Sequence, residues 1–186
     1  MGAVRAVFAL LMLGLLAACA EPAKVSGMTT QNFAGGMVAS NPAVQGSLTV
    51  GAVTGGQETD PLWTSEVDGP SFKAALVQSL LTNALLATDP AKAPYRVEAH
   101  LAALDQPVAG FSLDVGSTVR YRVYDAGSTE PWFDREIRAT GVAAVGDAFR
   151  GVDRLRIANE RSIQANIQQF ITAFIEEWKK RPAATS

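Results

Sequence analysis

The clearest order in the chain is a set of alternating apolar and polar positions in its second half. From Tyr95 to Asp105, the side chains of Tyr95, Val97, Ala99 and Leu101 fall on one side and those of Arg96, Glu98 and His100 on the other. That period of two is the signature of a half-buried strand. Val115 to Tyr124 repeats it, with Val115, Val119, Tyr121 and Val123 opposite Thr118, Arg120 and Arg122. Asp125-Ala126-Gly127-Ser128 then supplies turn residues for a hairpin connection. Trp132 to Thr140 sets Phe133, Ile137 and Ala139 against Asp134, Glu136 and Arg138, and Arg135 interrupts the alternation, predicting a bulge or an edge position. A shorter alternation at Leu48, Val50 and Ala52 predicts an earlier strand, ended by Gly55-Gly56.

Two stretches change to helical spacing. Phe72, Ala75, Leu76, Leu80, Ala84 and Leu85 predict a helix over Phe72 to Ala87, introduced by Asp68-Gly69-Pro70-Ser71 and stopped by Asp89-Pro90. From about Asp153 to Lys180, Ile163, Ile167, Phe170, Ile171, Phe174 and Trp178 make one wide apolar stripe. Lys179, Lys180 and Arg181 close it, where cations suit the negative end of the helix dipole. The order β-α-β-β-β-α predicts an α+β fold, a two-layer sandwich with a mostly antiparallel sheet and two helices on one face. The domain is expected over residues 47–181, its other sheet face meeting water or a partner, with 182–186 as a disordered tail.

The N-terminus follows other rules. Met1 to Arg5 is a short positive region, and Ala6 to Leu16 is apolar but too short to span a bilayer, which takes roughly 20 apolar residues. Residues 1–18 therefore read as a signal peptide. The Leu16-Ala17-Ala18-Cys19 run resembles the lipobox of bacterial lipoproteins, and Cys19 is the one cysteine in the chain. The resemblance implies a diacylglycerol on the Cys19 thiol and an N-acyl chain, which together hold the mature protein on a membrane; no other cofactor is expected. Ala20 stands where inner-membrane retention in enteric bacteria usually has Asp, which favours the periplasmic face of the outer membrane over the inner membrane. Residues 19–46 are rich in Gly, Ala, Ser, Thr, Asn and Pro without periodicity, and are expected to form a lipidated N-terminus and flexible tether.

With 186 residues and a formal net charge of -2, the chain suits one domain and carries no nucleic-acid footprint. Its chemistry is sparse. The single histidine, His100, cannot build a zinc cluster or a serine triad alone, and no Gly-x-Ser-x-Gly elbow surrounds a serine. Gly51 to Gly56 has neither a phosphate-loop lysine nor a dinucleotide fingerprint. Asp134 and Glu136 are expected to pair across strands with Arg120 and Arg122. No catalytic and no metal site is expected.

Three features are candidates for partner contact. The segment Gln106 to Ser112, with Phe111, is either a core contribution or an exposed apolar tip. Arg150, Arg154, Arg156 and Arg161 gather near the start of the last helix, where cations oppose the dipole, so either solvation or an anionic partner favours them. Trp63 and Trp132 are edge-of-core aromatics or interface anchors.

Asp60-Pro61-Leu62-Trp63 ahead of Phe72-Lys73-Ala74-Ala75-Leu76, together with the strands Tyr95-Arg96-Val97-Glu98-Ala99 and Val119-Arg120-Tyr121-Arg122-Val123, resembles small envelope lipoproteins. These have a lipopolysaccharide-assembly-lipoprotein-like fold and include auxiliary lipoproteins of ABC-type envelope transport systems. The resemblance, over about Leu48 to Trp178, implies a non-enzymatic binding or scaffolding part that meets an envelope protein complex or lipid. The alternatives are an enzyme on envelope glycolipids, such as an acyltransferase, and a lipid carrier with a pocket between sheet and helices.

Overall fold

A computed structural model describes residues 20–60, 64–107 and 112–181. The elements in chain order are α1 (Val25–Met28), α2 (Gly35–Ala39), β1 (Leu48–Gly55), α3 (Gly69–Thr82), β2 (Tyr95–Asp105), β3 (Leu113–Asp125), β4 (Pro131–Ala143) and α4 (Gly151–Lys179). The four strands form one sheet in the order β1-β2-β3-β4. β1 runs parallel to β2, and the β2–β3 and β3–β4 pairs are antiparallel. The expected α+β sandwich is therefore present, with helices on one sheet face.

Alternation is why β2, β3 and β4 form; in β1 a register shift between Val50 and Val53 breaks the expected Leu48-Val50-Ala52 alternation, so that Val53 packs on the core and Ala52 is exposed. Val97, Ala99, Leu101, Val119, Tyr121, Val123, Phe133 and Ile137 are all buried on the helix side, and His100, Arg120, Asp134, Glu136 and Arg138 are exposed on the other. Arg135 sits on the buried side of β4 yet stays exposed, because β4 is an edge strand and its guanidinium reaches Glu177 on α4. The irregularity of β4 lies nearer its start, between the Val123 and Tyr124 pairings.

Helix α3 begins as expected: the Asp68 carboxylate accepts from the Ser71 N–H at 2.7 Å and Pro70 occupies the first turn. It ends at Thr82, five residues before the expected Ala87. Asn83 takes over there, its Nδ2 donating to the Ser79 carbonyl at 2.9 Å, and Ala84 adopts a positive φ of 58°. Such a left-handed residue terminates a helix.

The larger departure is the segment expected to be a flexible tether. Over residues 20–46 it folds into α1, α2 and a turn of 3-10 helix at Pro42–Val44, and Met28, Ala34, Val38 and Val44 are buried in the main core. Asn83 holds it: Oδ1 accepts from the Phe33 and Ala34 N–H groups, and Nδ2 donates to the Thr30 hydroxyl. α1 lies against both α3 and α4, making it a third member of the helical layer. Burying four apolar side chains and saturating these backbone donors outweighs the entropy of a free tether.

The 29-residue α4 lies along β4 and β3. Its first half sits close to the sheet over small residues, with Ser162 Oγ donating to the Ala139 carbonyl and Asn166 Nδ2 to the Ile137 carbonyl. Its second half is packed with aromatics, Tyr121 stacking on Phe170 with centroids 4.2 Å apart. At the far end Arg181 lies 4.3 Å over the Trp132 ring and pairs with Asp125 at 3.0 Å. Trp132 is thus a half-buried aromatic at the edge of the core. Fully buried Phe72, Tyr121, Phe133, Phe170 and Phe174 fill the space between sheet and helices, the place a carrier pocket would need.

Candidate functional site

Two surfaces carry exposed side chains in an organised way. The first is the uncovered sheet face. Because β2, β3 and β4 alternate in register, Glu98, Arg122 and Asp134 line up across one row, and His100, Arg120 and Glu136 across the next. Arg120 makes a two-pronged pair with Asp134 at 2.7 Å through both Nε and Nη2, and Arg122 reaches the same carboxylate at 3.5 Å. Those pairings match the expected cross-strand partner for Asp134, whereas Glu136 pairs along its own strand with Arg138. The Arg120 hydrogen bond holds the Asp134 carboxyl below the usual aspartate range, against a smaller opposing effect of desolvation.

His100 stands at the centre of this face. Its Nδ1 lies 2.9 Å from the Thr54 hydroxyl on β1. Ala52, Thr54, Glu98, His100, Arg120 and Arg122 surround a shallow groove of about 350 Å³. The groove offers a cationic side, an anionic side and one imidazole, a pattern suited to holding a polar partner surface. Among the described residues, no three His, Cys, Asp or Glu side chains are placed to share a metal ion.

The second surface is one pole of the sandwich, where β1, β2 and β4 end and β3 and α4 begin. The four arginines singled out from the sequence gather here, and the structure shows what offsets their position against the helix dipole. Arg150 pairs with Asp153 at 2.7 Å, and Arg156 with Glu160 at 2.6 Å. Arg154 Nη1 donates to the carbonyls of Ala148 and Phe149, and Arg161 forms two 2.7 Å bonds to Asp147 and one to the Val142 carbonyl. Their guanidiniums organise this end of the protein through internal pairs, while Arg150 and Arg161 keep nearly half of their side-chain surface exposed to solvent. Trp63, Phe111 and Cys19 lie outside the described residues.

Arg161 and the Ala144 N–H together pull the Asp147 carboxyl from an ordinary value near 3.8 to about 2. A depressed acid pKa gives stability that is present above about pH 4 and lost as pH falls through about 2. The Ala144 amide, 2.8 Å from Asp147 Oδ2, is therefore expected to titrate by NMR with a midpoint near pH 2. A midpoint near 3.8 would mean that the clamp does not form.

At the same pole the chain enters the domain. Ala20 is buried and lines a cavity of about 620 Å³ with Gly55, Gly56, Asp68 and Pro70. The Ser65 hydroxyl donates to the Glu21 carbonyl at 2.7 Å, the Ala23 N–H to the Glu66 carbonyl at 3.1 Å, and the Lys24 N–H to Glu160 Oε1 at 2.8 Å. Composition gave no sign of this docking, since its partners lie far along the chain. Beneath it, Gln106 Nε2 and Asn159 Nδ2 both donate to the Ser65 carbonyl, and burial raises the pKa of the adjacent Glu66 carboxyl.

No family model and no curated protein matches the sequence. Solved structures do share the fold. A proposed lipoprotein from Caulobacter crescentus CB15 aligns with a TM-score of 0.54 at 11% identity, over 77% of this chain and 98% of its own. Protein XCC0632 from Xanthomonas campestris, of the family DUF330, aligns with a TM-score of 0.58 at 8% identity, over 82% of this chain and 93% of its own. At these identities the likeness is one of fold.

Proposed function

We propose that this chain is a membrane-anchored envelope lipoprotein, lipidated at Cys19 and held at the periplasmic face of the outer membrane. Its domain acts there as a binding or scaffolding component of a transport or assembly system. The observation that carries the binding role is the uncovered sheet face, on which charges of both signs stand in register around His100, while α1, α3 and α4 pack together on the opposite side. Leu16-Ala17-Ala18-Cys19 supports the anchor, and the fold shared with a proposed lipoprotein agrees with it. The aromatic filling between sheet and helices favours this reading over a lipid carrier.

The test is cross-linking of the full-length, lipidated protein in bacterial envelopes, comparing wild type with Arg120→Thr combined with Arg122→Thr. Both side chains are about half exposed, and threonine suits a strand, so the fold should persist by circular dichroism. The double variant is expected to lose at least about tenfold of the cross-linked envelope partner. Equal recovery from the variant, or no envelope partner with wild type in mild detergent, would sink the binding role.

A further inference from the structure

Among the described residues, the pole where the chain enters the domain displays Phe149 to solvent in a loop held by internal hydrogen bonds. Phe149 is 98% exposed and Val145 in the same loop 55%, and Val142 near the end of β4 is 47% exposed. The loop that carries Phe149, between β4 and α4, is not loose. The Asp147 N–H donates to the Ala144 carbonyl and the Ala144 N–H to the Asp147 carboxylate. Arg161 clamps that carboxylate, and Arg154 gathers the Ala148 and Phe149 carbonyls. Two arginines of α4 thus satisfy the polar groups of the loop from within, leaving its apolar side chains directed outward. An isolated exposed apolar residue needs no explanation, but two apolar side chains, Val145 and Phe149, turned outward from one braced loop do.

The place where the chain leaves the described structure indicates what covers it. Ala20 is fixed at the same pole by the Glu21, Ala23 and Lys24 hydrogen bonds. A lipid on Cys19 begins one peptide unit from Ala20, about 3.8 Å between Cα atoms. With no free tether after it, the bilayer surface must lie against this end of the domain. Apolar and aromatic side chains presented at that height enter the interfacial region, where aromatic rings are favoured.

We infer that the anchor pole is itself a membrane-contact surface, with Phe149 and Val145 inserted among the lipids that hold Cys19, so that the domain lies directly on the bilayer in one orientation. This rests on the lipid-anchor reading of Cys19 and adds to it a contact and an orientation. The uncovered sheet face then stands roughly along the membrane normal, open to a partner approaching from the side, because the strands end at the anchored pole.

The experiment uses the lipidated full-length protein reconstituted in vesicles of phosphatidylethanolamine and phosphatidylglycerol. Cys19 is the single native cysteine and its thiol is occupied by lipid, so one introduced cysteine is the sole free thiol. An environment-sensitive fluorophore is placed at Phe149→Cys or, as the control, at Ala126→Cys in the exposed turn at the opposite pole. The Phe149→Cys probe is expected to shift to shorter wavelength and to lose at least about half its emission when brominated lipids are included, with the Ala126→Cys probe unchanged. A water-exposed probe at 149, on protein shown by mass spectrometry to be acylated at Cys19 and vesicle-bound, overturns the contact and leaves the anchor intact. Absence of acylation at Cys19 overturns the anchor first and the contact with it. Shielding at 149 that appears only after adding other envelope proteins assigns the loop to a protein partner and overturns the lipid contact.

Discussion

Asn83→Ala is expected to lower the unfolding free energy by about 3 kcal/mol, because a buried group serving several partners leaves each of them unsatisfied when removed. The Asn83 amide is fully buried and accepts from the Phe33 and Ala34 N–H groups while donating to Thr30, Gln31 and Ser79. Alanine fills none of these roles and strands two backbone donors inside the protein. For a domain of this size the loss corresponds to a fall in Tm of roughly 10 °C. Chemical denaturation measures it, with Asn32→Ala as the comparison, since Asn32 is exposed and caps only Gly35. That variant should stay within about 1 kcal/mol of wild type. A loss under about 1 kcal/mol for Asn83→Ala would show that residues 30–34 do not dock on the domain in solution. Limited proteolysis sharpens the reading, because the variant should be cut within residues 20–46 before the sheet is touched.

A second large effect is expected at Gly141 on β4. A side chain there would overlap the backbone of α4 at the Ser162 nitrogen, the Ala158 oxygen and the Arg161 carbonyl carbon. None of these atoms belongs to a side chain that can turn away, so the whole first half of α4 would have to lift. Gly141→Ala should therefore cost about 3 kcal/mol, the upper range for forcing extra volume into a packed core. It should also loosen the Ser162 and Asn166 bonds to β4. Gly116→Ala on the neighbouring strand is the matched control: its added carbon meets Asp105 at an ordinary 3.6 Å, so a change within about 0.5 kcal/mol is expected. Equal behaviour of the two variants would contradict the close helix–sheet contact.

Both positions explain where the sequence was silent. A glycine in an alternating strand gives no sign of which element approaches it, and Gly141 is preceded by a pattern that continues smoothly through Ala139. The expected helix over Phe72 to Ala87 ran past Thr82 because Ala84 and Leu85 keep helical spacing, yet Leu85 is buried from a non-helical turn. The segment over residues 20–46 was misread for a related reason. Its helices span four and five residues, too short to show a period, and the groups that hold them, Asn83 and Glu160, are distant in sequence. The basic cluster at the start of α4 was visible as a list of residues but not as a brace, since the loop carbonyls and Asp147 become its partners only when β4 turns back into α4.

What the sequence by itself determined was what local periodicity carries: four strands, two long helices, the buried face of both helices and of β2, β3 and β4, and the cross-strand pairing of Asp134 with Arg120 and Arg122. Those follow from where each side chain points along a strand or helix, which a few neighbouring residues decide. The tertiary structure alone decided the parallel pairing of β1 with β2, the docking of the N-terminal segment, and the placing of Ala20 at the same pole as the Phe149 loop. Each depends on contacts between residues far apart in the chain, whose closure no local pattern records.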